Sequence, residues 1–306
     1  MQREFAPRDY AAAIGAVVIW GTNFISMKVG LRELTPFQLG AGRYLFAALP
    51  LVLLVRRSPV AFKWLLLYGL CQGVGQFGFL FVSLHVGMTA SLASVLMQTQ
   101  VFFTALFSAL LLREPVDAPL RRGLLLAALG LACFGAAYVG HGGANGTTPL
   151  GFILVLGSGC MWAASNIVVR NAQKATPHFD VLPFLAWSSV VPVVPFVLLS
   201  LAFDTAGTDW HVARLSWKAW FSVTYLAWIA HILAYALWTG LLKRHPANRV
   251  APFSLAVPVV GITAGMLVFA DTIGWWQWAG TALLVCALAT VMMAARSPRQ
   301  PEPNKS

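Results

Sequence analysis

Ten stretches of about twenty residues, each almost free of charge, follow one another along this chain. They cover residues 9–30, 36–55, 62–85, 89–112, 119–140, 149–171, 180–203, 216–242, 247–269 and 274–295. An α-helix rises about 1.5 Å per residue, so about 20 apolar residues cross the hydrocarbon core of a bilayer. Charged residues make up 10% of the chain and apolar ones 58%, against about 25% charged in ordinary soluble domains. Such a chain has too little polar surface to face water. Lipid removes that need, provided each backbone group is satisfied within its own segment. The expected fold is therefore all-α and integral to the membrane, with ten transmembrane helices and no room for a soluble domain.

The charges that remain are informative by position. The chain carries 21 Lys and Arg against 10 Asp and Glu, a net charge of +11. No basic helix face exists to track phosphates, so nucleic acid is not an expected partner. The cations cluster in short loops instead. Sixteen of them lie on the side that holds the N-terminus, the loops after spans two, four, six and eight, and the C-terminus; four (Lys28, Arg32, Arg214 and Lys218) lie on the other side, and Arg43 lies inside span two. The positive-inside rule then places both termini in the cytoplasm, in agreement with an even number of spans. The first apolar run lacks a small-residue cleavage site and reads as a span, not a signal peptide. The tail 296–306 is polar and proline-rich and reads as disordered. Cys71, Cys133, Cys160 and Cys286 sit far apart within apolar runs, without CxxC or His-Cys spacing, and read as small apolar residues.

A repeat is legible as well. A shift of 157 residues carries Ala90 onto Ala247, Glu114 onto Asp271 and Gly123 onto Gly280. Near the start, Trp20 matches Trp162 at 142 and Thr35-Pro36 matches Thr176-Pro177 at 141. Two five-span halves, 1–140 and 149–295, follow. Five is odd, so the second half enters from the opposite side, giving inverted-topology repeats with a site expected near the midplane between them.

Polar groups at membrane depth are costly and are either interhelical glue or functional. Span three carries Gln72, Gln76, Phe79 and Ser83 at helical spacing; span four carries Ser91, Ser94 and Gln98 on one face, with Gln100 turned elsewhere. Span eight carries Tyr225, Trp228, His231, Tyr235 and Trp238, while spans one and six offer Trp20, Asn23, Trp162, Ser165 and Asn166. Together they predict a polar, aromatic cavity suited to a small amphipathic solute. Two readings of His231 stand: a proton-linked group or a packing residue. For Trp20, Trp162, Trp228 and Trp238 lining and packing are both open, whereas Trp210, Trp217, Trp220, Trp275, Trp276 and Trp278 read as an interfacial belt. The pairs Gly69/Gly73 and Gly261/Gly265 predict close helix contacts. Pro252 and Pro258 in span nine, and Pro192 and Pro195 in span seven, predict kinks of use as hinges. Every Asp and Glu falls in a loop, a tail or a helix end. No metal-ligand cluster, cofactor motif or catalytic signature stands out, so no enzyme activity is expected.

The Trp20-Gly21-Thr22-Asn23 motif, the acid after span four (Arg113-Glu114) with its counterpart Asp271, and ten spans in two halves resemble the EamA family of the drug/metabolite transporter superfamily. Closer likeness to its amino-acid exporter branch, with YddG-type aromatic amino acid exporters and acetylserine/cysteine exporters, rests on residues 76–81, Gly87-Met88, Ser91-Leu92-Ala93-Ser94 and Gln98-Thr99-Gln100. Ala251-Pro252 and residues 257–261 add to it. Many family members have a proline in span four where this chain has Val101. The resemblance implies a basket-like bundle around a cavity lined by spans one, three, four, six, eight and nine. It implies alternating-access export of amino acids and related metabolites across a bacterial inner membrane. The partners are then a small-molecule substrate and membrane lipid, with the chain a monomer or weak homodimer. A drug or nucleotide-sugar transporter of the same superfamily, for which Arg43 is the candidate midplane cation, and a membrane-embedded lipid-acting enzyme are the alternatives.

Overall fold

The computed structural model describes residues 5–113, 116–140, 147–177, 179–204, 215–245 and 247–294. Glu114, Trp210, Pro246 and the tail 296–306 lie outside the described residues. Ten helices long and apolar enough to cross a membrane run through the rest: α1 Pro7–Gly30, α2 Pro36–Leu54, α3 Phe62–His85, α4 Ala90–Leu112, α5 Ala118–Ala137, α6 Pro149–Ala175, α7 Val181–Phe203, α8 Trp217–Leu242, α9 Pro252–Phe269 and α10 Trp275–Met293. The protein is thus an all-α multi-pass membrane protein. The end of the bundle where α1 begins is called the near end here, and the opposite one the far end.

Local chemistry sets the helix ends. Thr35 caps α2: its hydroxyl accepts from the Gln38 N–H while the Gln38 side chain accepts from the Thr35 N–H, and Pro36 follows as the first helical residue. The hydroxyls of Thr89, Thr148 and Ser216 likewise accept a first-turn backbone N–H of α4, α6 and α8. The helices α4 and α9 both end in a left-handed residue, Arg113 at φ 54° and Ala270 at φ 53°.

The helices pair by their small and apolar faces. The pair α5 and α10 pack along each other; α1 packs on α8 and α9, and α6 on α3 and α4; α2 lies against α7, α8 and α3, and α4 against α9. Gly69 and Gly73 of α3 abut Val191 and Pro192 of α7, and Gly261 and Gly265 of α9 abut Ser94 and Ser91 of α4, as the small-xxx-small pairs predict. Phe81, Phe196, Met27, Leu39 and Leu92 fill the interior, while Leu53, Leu54, Leu111, Phe203 and Leu267 stand exposed on the outside, where lipid is the solvent. Trp217, Trp275, Trp276 and Trp278 are exposed and gather at the starts of α8 and α10, on the far end, as an interfacial belt requires.

Four helices leave α geometry in matching places. Widened π turns run over Gly69–Phe77 in α3 and Tyr225–Leu233 in α8; tight 3₁₀ turns occupy Met97–Thr99 in α4 and Ala251–Leu255 at the entry to α9. A carbonyl within each widened turn accepts a side-chain donor from a neighbouring helix. The Ser158 hydroxyl of α6 donates to the Gln76 carbonyl at 2.7 Å, and the Trp20 indole N–H of α1 donates to the Ala230 carbonyl at 3.3 Å. Insertion of a side chain into the helix ladder is a recognised cause of such breaks, which concentrate at functional sites. Pro252 is the second residue of the 3₁₀ turn at the entry to α9, and Pro258 sits in the first α turn after it. Its missing N–H costs little there.

Candidate functional site

Two seams of polar and aromatic side chains cross the bundle. The first joins α3, α4 and α6. Buried Gln72 and Gln76 are bonded amide to amide, and the Ser165 hydroxyl reaches Gln72 Oε1 at 2.5 Å while also meeting the Trp162 carbonyl at 2.7 Å. Next to Ser165, Asn166 Nδ2 donates to Gln100 Oε1 at 3.2 Å and Thr104 Oγ1 at 3.0 Å. Gln100 therefore belongs to the seam, whereas Gln98 turns the other way and donates to the Ser254 carbonyl of the α9 entry at 3.3 Å. The 3₁₀ turn between them, tighter than an α turn, separates their directions.

The second seam joins α1 and α8 and continues onto α2. The Trp20 ring meets Tyr235 edge-on at 5.5 Å and Trp238 at 5.3 Å. Tyr235 meets His231 at 5.7 Å, and His231 meets Tyr44 of α2 at 5.9 Å. His231 Nε2 lies 3.0 Å from the Ser189 hydroxyl of α7. Tyr225 shares a 2.7 Å bond with Thr22 and donates to the Ile19 carbonyl. Asn23 is buried between, and its Oδ1 finds no partner.

The widened turns explain which expected residues part company. A π turn holds more residues than an α turn, so a three-residue step no longer returns to the same face. Phe79, three residues after Gln76, is 41% exposed and packs over Gly157 of α6, while Gln72, Gln76 and Ser83 are buried. Trp228 lies within the widened turn of α8; it is 46% exposed and its indole N–H donates to the Phe46 carbonyl of α2 at 2.9 Å. Ser83 donates to the Gly151 carbonyl at the start of α6, and Ser94 to the Ser91 carbonyl of its own helix. The residues that periodicity missed are Thr22, Tyr44, Gln100 and Ser189, each reached across a helix interface.

Charges sit at the two ends of α1. At the near end, Asp9 pairs with Arg244 Nε and His245 Nε2, both at 2.9 Å, and accepts the Ala6 N–H. At the far end Asp271 accepts from the Ser91 N–H at 3.1 Å and hydroxyl at 2.9 Å, with Lys28 Nζ 3.7 Å away. Lys28 lies over the Phe269 ring. Beside it, Glu33 of the α1–α2 loop accepts the Ser216 hydroxyl and N–H at the start of α8. These two bonds hold the Glu33 carboxyl below its ordinary range. Its contribution to stability is therefore complete above the ordinary carboxylate pKa and fades as pH falls through the lowered one. The melting-temperature gap between the native protein and Glu33→Ala in detergent should be widest near neutral pH and close on acidification. An equal gap at pH 3 and pH 7 would discard the account.

Comparison with known proteins settles the family. The description "EamA-like transporter family" matches over residues 9–136 and again over 149–293. This chain belongs to the EamA-like transporter family. It is 35% identical over 284 residues to a "Probable amino-acid metabolite efflux pump" of Escherichia coli K12, covering 92% of this chain and 93% of that one. A protein of the same description from Salmonella typhimurium LT2 is 36% identical over 287 residues, with the same coverage. A solved crystal structure 18% identical in sequence superposes with a TM-score of 0.61 over 94% of this chain and 97% of its own; it shares the fold. Membership in a transporter family removes the lipid-acting enzyme from consideration.

Proposed function

We propose that the protein exports amino acids or closely related metabolites across a bacterial inner membrane, by alternating access between two inverted halves, 1–140 and 149–295, with both termini cytoplasmic. The observation that carries the reading is near full-length similarity, at 35% and 36% identity, to proteins described as amino-acid metabolite efflux pumps. The inverted repeat draws support from the recurrence of widened turns at residues 69 and 225 and of left-handed helix ends at residues 113 and 270. Both pairs fall close to the offset that aligns Ala90 with Ala247. The loop cations support the orientation.

In this reading the Gln72–Gln76 pair and Asn166, which donates to Gln100 and Thr104, exchange these bonds for bonds to the solute's polar end. Trp20, Trp162, Tyr235 and Trp238 pack its side chain. Exchanging one satisfied buried arrangement for another leaves no amide stranded as the solute enters and leaves. Radiolabelled amino acids and acetylserine, supplied as a panel to proteoliposomes with and without a pH gradient, test the reading. At least one should be transported, and Gln76→Leu and Trp162→Ala should each lower that flux about tenfold, the worth of one good hydrogen bond or aromatic contact, while still purifying as folded protein. Failure of every compound in the panel would require another substrate class, and undiminished flux in both variants would remove this site.

A further inference from the structure

A buried charge inside one span has no ion-pair partner among the described residues. Arg43 lies two turns into α2, well inside the spanning segment, and is 2% exposed. Its Nε and one terminal nitrogen are buried without a hydrogen-bond acceptor. The ion pairs found among the described residues are those of Asp9 and Asp271, both at helix ends and neither with Arg43. The guanidinium instead lies face-on over the Phe77 ring of α3, its central carbon 3.6 Å from the ring centroid. An aromatic face compensates part of the charge but accepts none of the in-plane N–H bonds, which a guanidinium presents as a rigid fork. A second orphan sits beside it. The Tyr44 hydroxyl is buried and also lacks a partner, and the Tyr44 ring touches Phe77, Phe196 and His231. The two unpartnered donors thus meet at the Phe77 ring, at the end of the aromatic seam that runs through His231 and Tyr235 to Trp20.

A buried, uncompensated cation at membrane depth is expensive and is retained where something anionic visits it. The anion that matches a guanidinium fork and an adjacent hydroxyl donor is a carboxylate, bound in bidentate fashion. We propose that Arg43, assisted by the Tyr44 hydroxyl, is the anchor for the carboxylate of the transported solute, whose side chain lies along the His231–Tyr235–Trp20 wall. The substrate class is then a small monocarboxylate, a zwitterionic amino acid or its acylated form, and carboxamides and simple amines are rejected. The proposal deepens the export reading and rests on it.

The test uses the full chain in proteoliposomes with labelled L-phenylalanine, or whichever labelled amino acid the panel shows to be carried, under counterflow. The unlabelled acid and the matching amide are the competitors. In the native protein the amide should compete at least about tenfold less well than the acid, the cost of losing one charge-assisted pair. In Arg43→Gln, acid and amide should compete within about twofold of each other, while Tyr44→Phe keeps a reduced preference. Should Arg43→Gln fail to fold, Arg43→Lys, which keeps the charge and loses the fork, should shrink the preference at least threefold. A native protein that takes the amide as readily as the acid overturns the anchor, as does a variant at Arg43 that loses flux of both compounds equally and keeps the native ratio. If no amino acid is carried at all, the export reading itself falls and the anchor with it. If transport is intact but the ratio is indifferent to Arg43, only the anchor falls.

Discussion

Gly265→Ala should lower the thermal stability of the purified protein by about 2–5 kcal/mol, the combined cost of overpacking and of buried hydrogen bonds left unmade. The argument is steric. Gly265 lies on the face of α9 that meets α4, and a Cβ there would stand 2.7 Å from Asp271 Oδ2 and 3.0 Å from the Ser91 backbone nitrogen, and closer still to the Ser91 hydroxyl. The Ser91 nitrogen is in the first turn of α4 and cannot retreat without moving that helix. The carboxylate would be displaced instead, stranding the two donors it satisfies and separating it from Lys28. The methyl group thus severs α4 from α9 at the far end. Gly135→Ala on α5 is the control: a Cβ there meets nothing within 4 Å, so the change should be neutral or slightly stabilising. Equal melting temperatures for the two variants would refute the account.

Asp9→Ala should be clearly destabilising at the near end, because it removes the one acceptor that an ion-paired cluster shares. The carboxylate serves three donors at once: Arg244, His245 and the Ala6 N–H. His245 is 4% exposed and its Nδ1 has no partner, so losing Asp9 leaves the whole ring without a bond. Arg244 is about one-third exposed and water replaces part of its loss, which places Arg244→Ala well below Asp9→Ala. A double-mutant cycle between the two positions should return a coupling of about 0.5–3 kcal/mol. Strict additivity would mean that Asp9 acts without Arg244, through His245 and the Ala6 N–H. Since α1 is tied to α8 at this end and to α9 at the other, the two variants probe the ties at the two ends of the bundle.

The ties at the near and far ends are only partly legible in the sequence. Asp271 stood out as the acid after the ninth span, but its partners Ser91 and Lys28 come from α4 and α1, far away in sequence. Arg43 was conspicuous as the lone charge within an apolar run, and its isolation from every described carboxylate became clear only when α2 and α3 were seen packed together. The glutamines of α3 were expected to share a face, and they do, down to a direct bond between them. The departures of Phe79 and Trp228 from that regularity have one cause. Helical periodicity assumes 3.6 residues per turn, and the widened turns at Gly69–Phe77 and Tyr225–Leu233 do not keep it.

Sequence alone determined how many helices there are, where they begin and end, and that lipid surrounds them. Those properties follow from a local rule: about twenty residues must cross the hydrocarbon with every backbone group satisfied inside its own segment. Tertiary structure decided which side chains meet. Within each widened turn a carbonyl takes a donor from another helix, Ser158 for Gln76 and Trp20 for Ala230. The turn that rotates Phe79 and Trp228 away, and the wall on which Arg43 comes to rest beside Phe77, therefore exist only once the helices have packed.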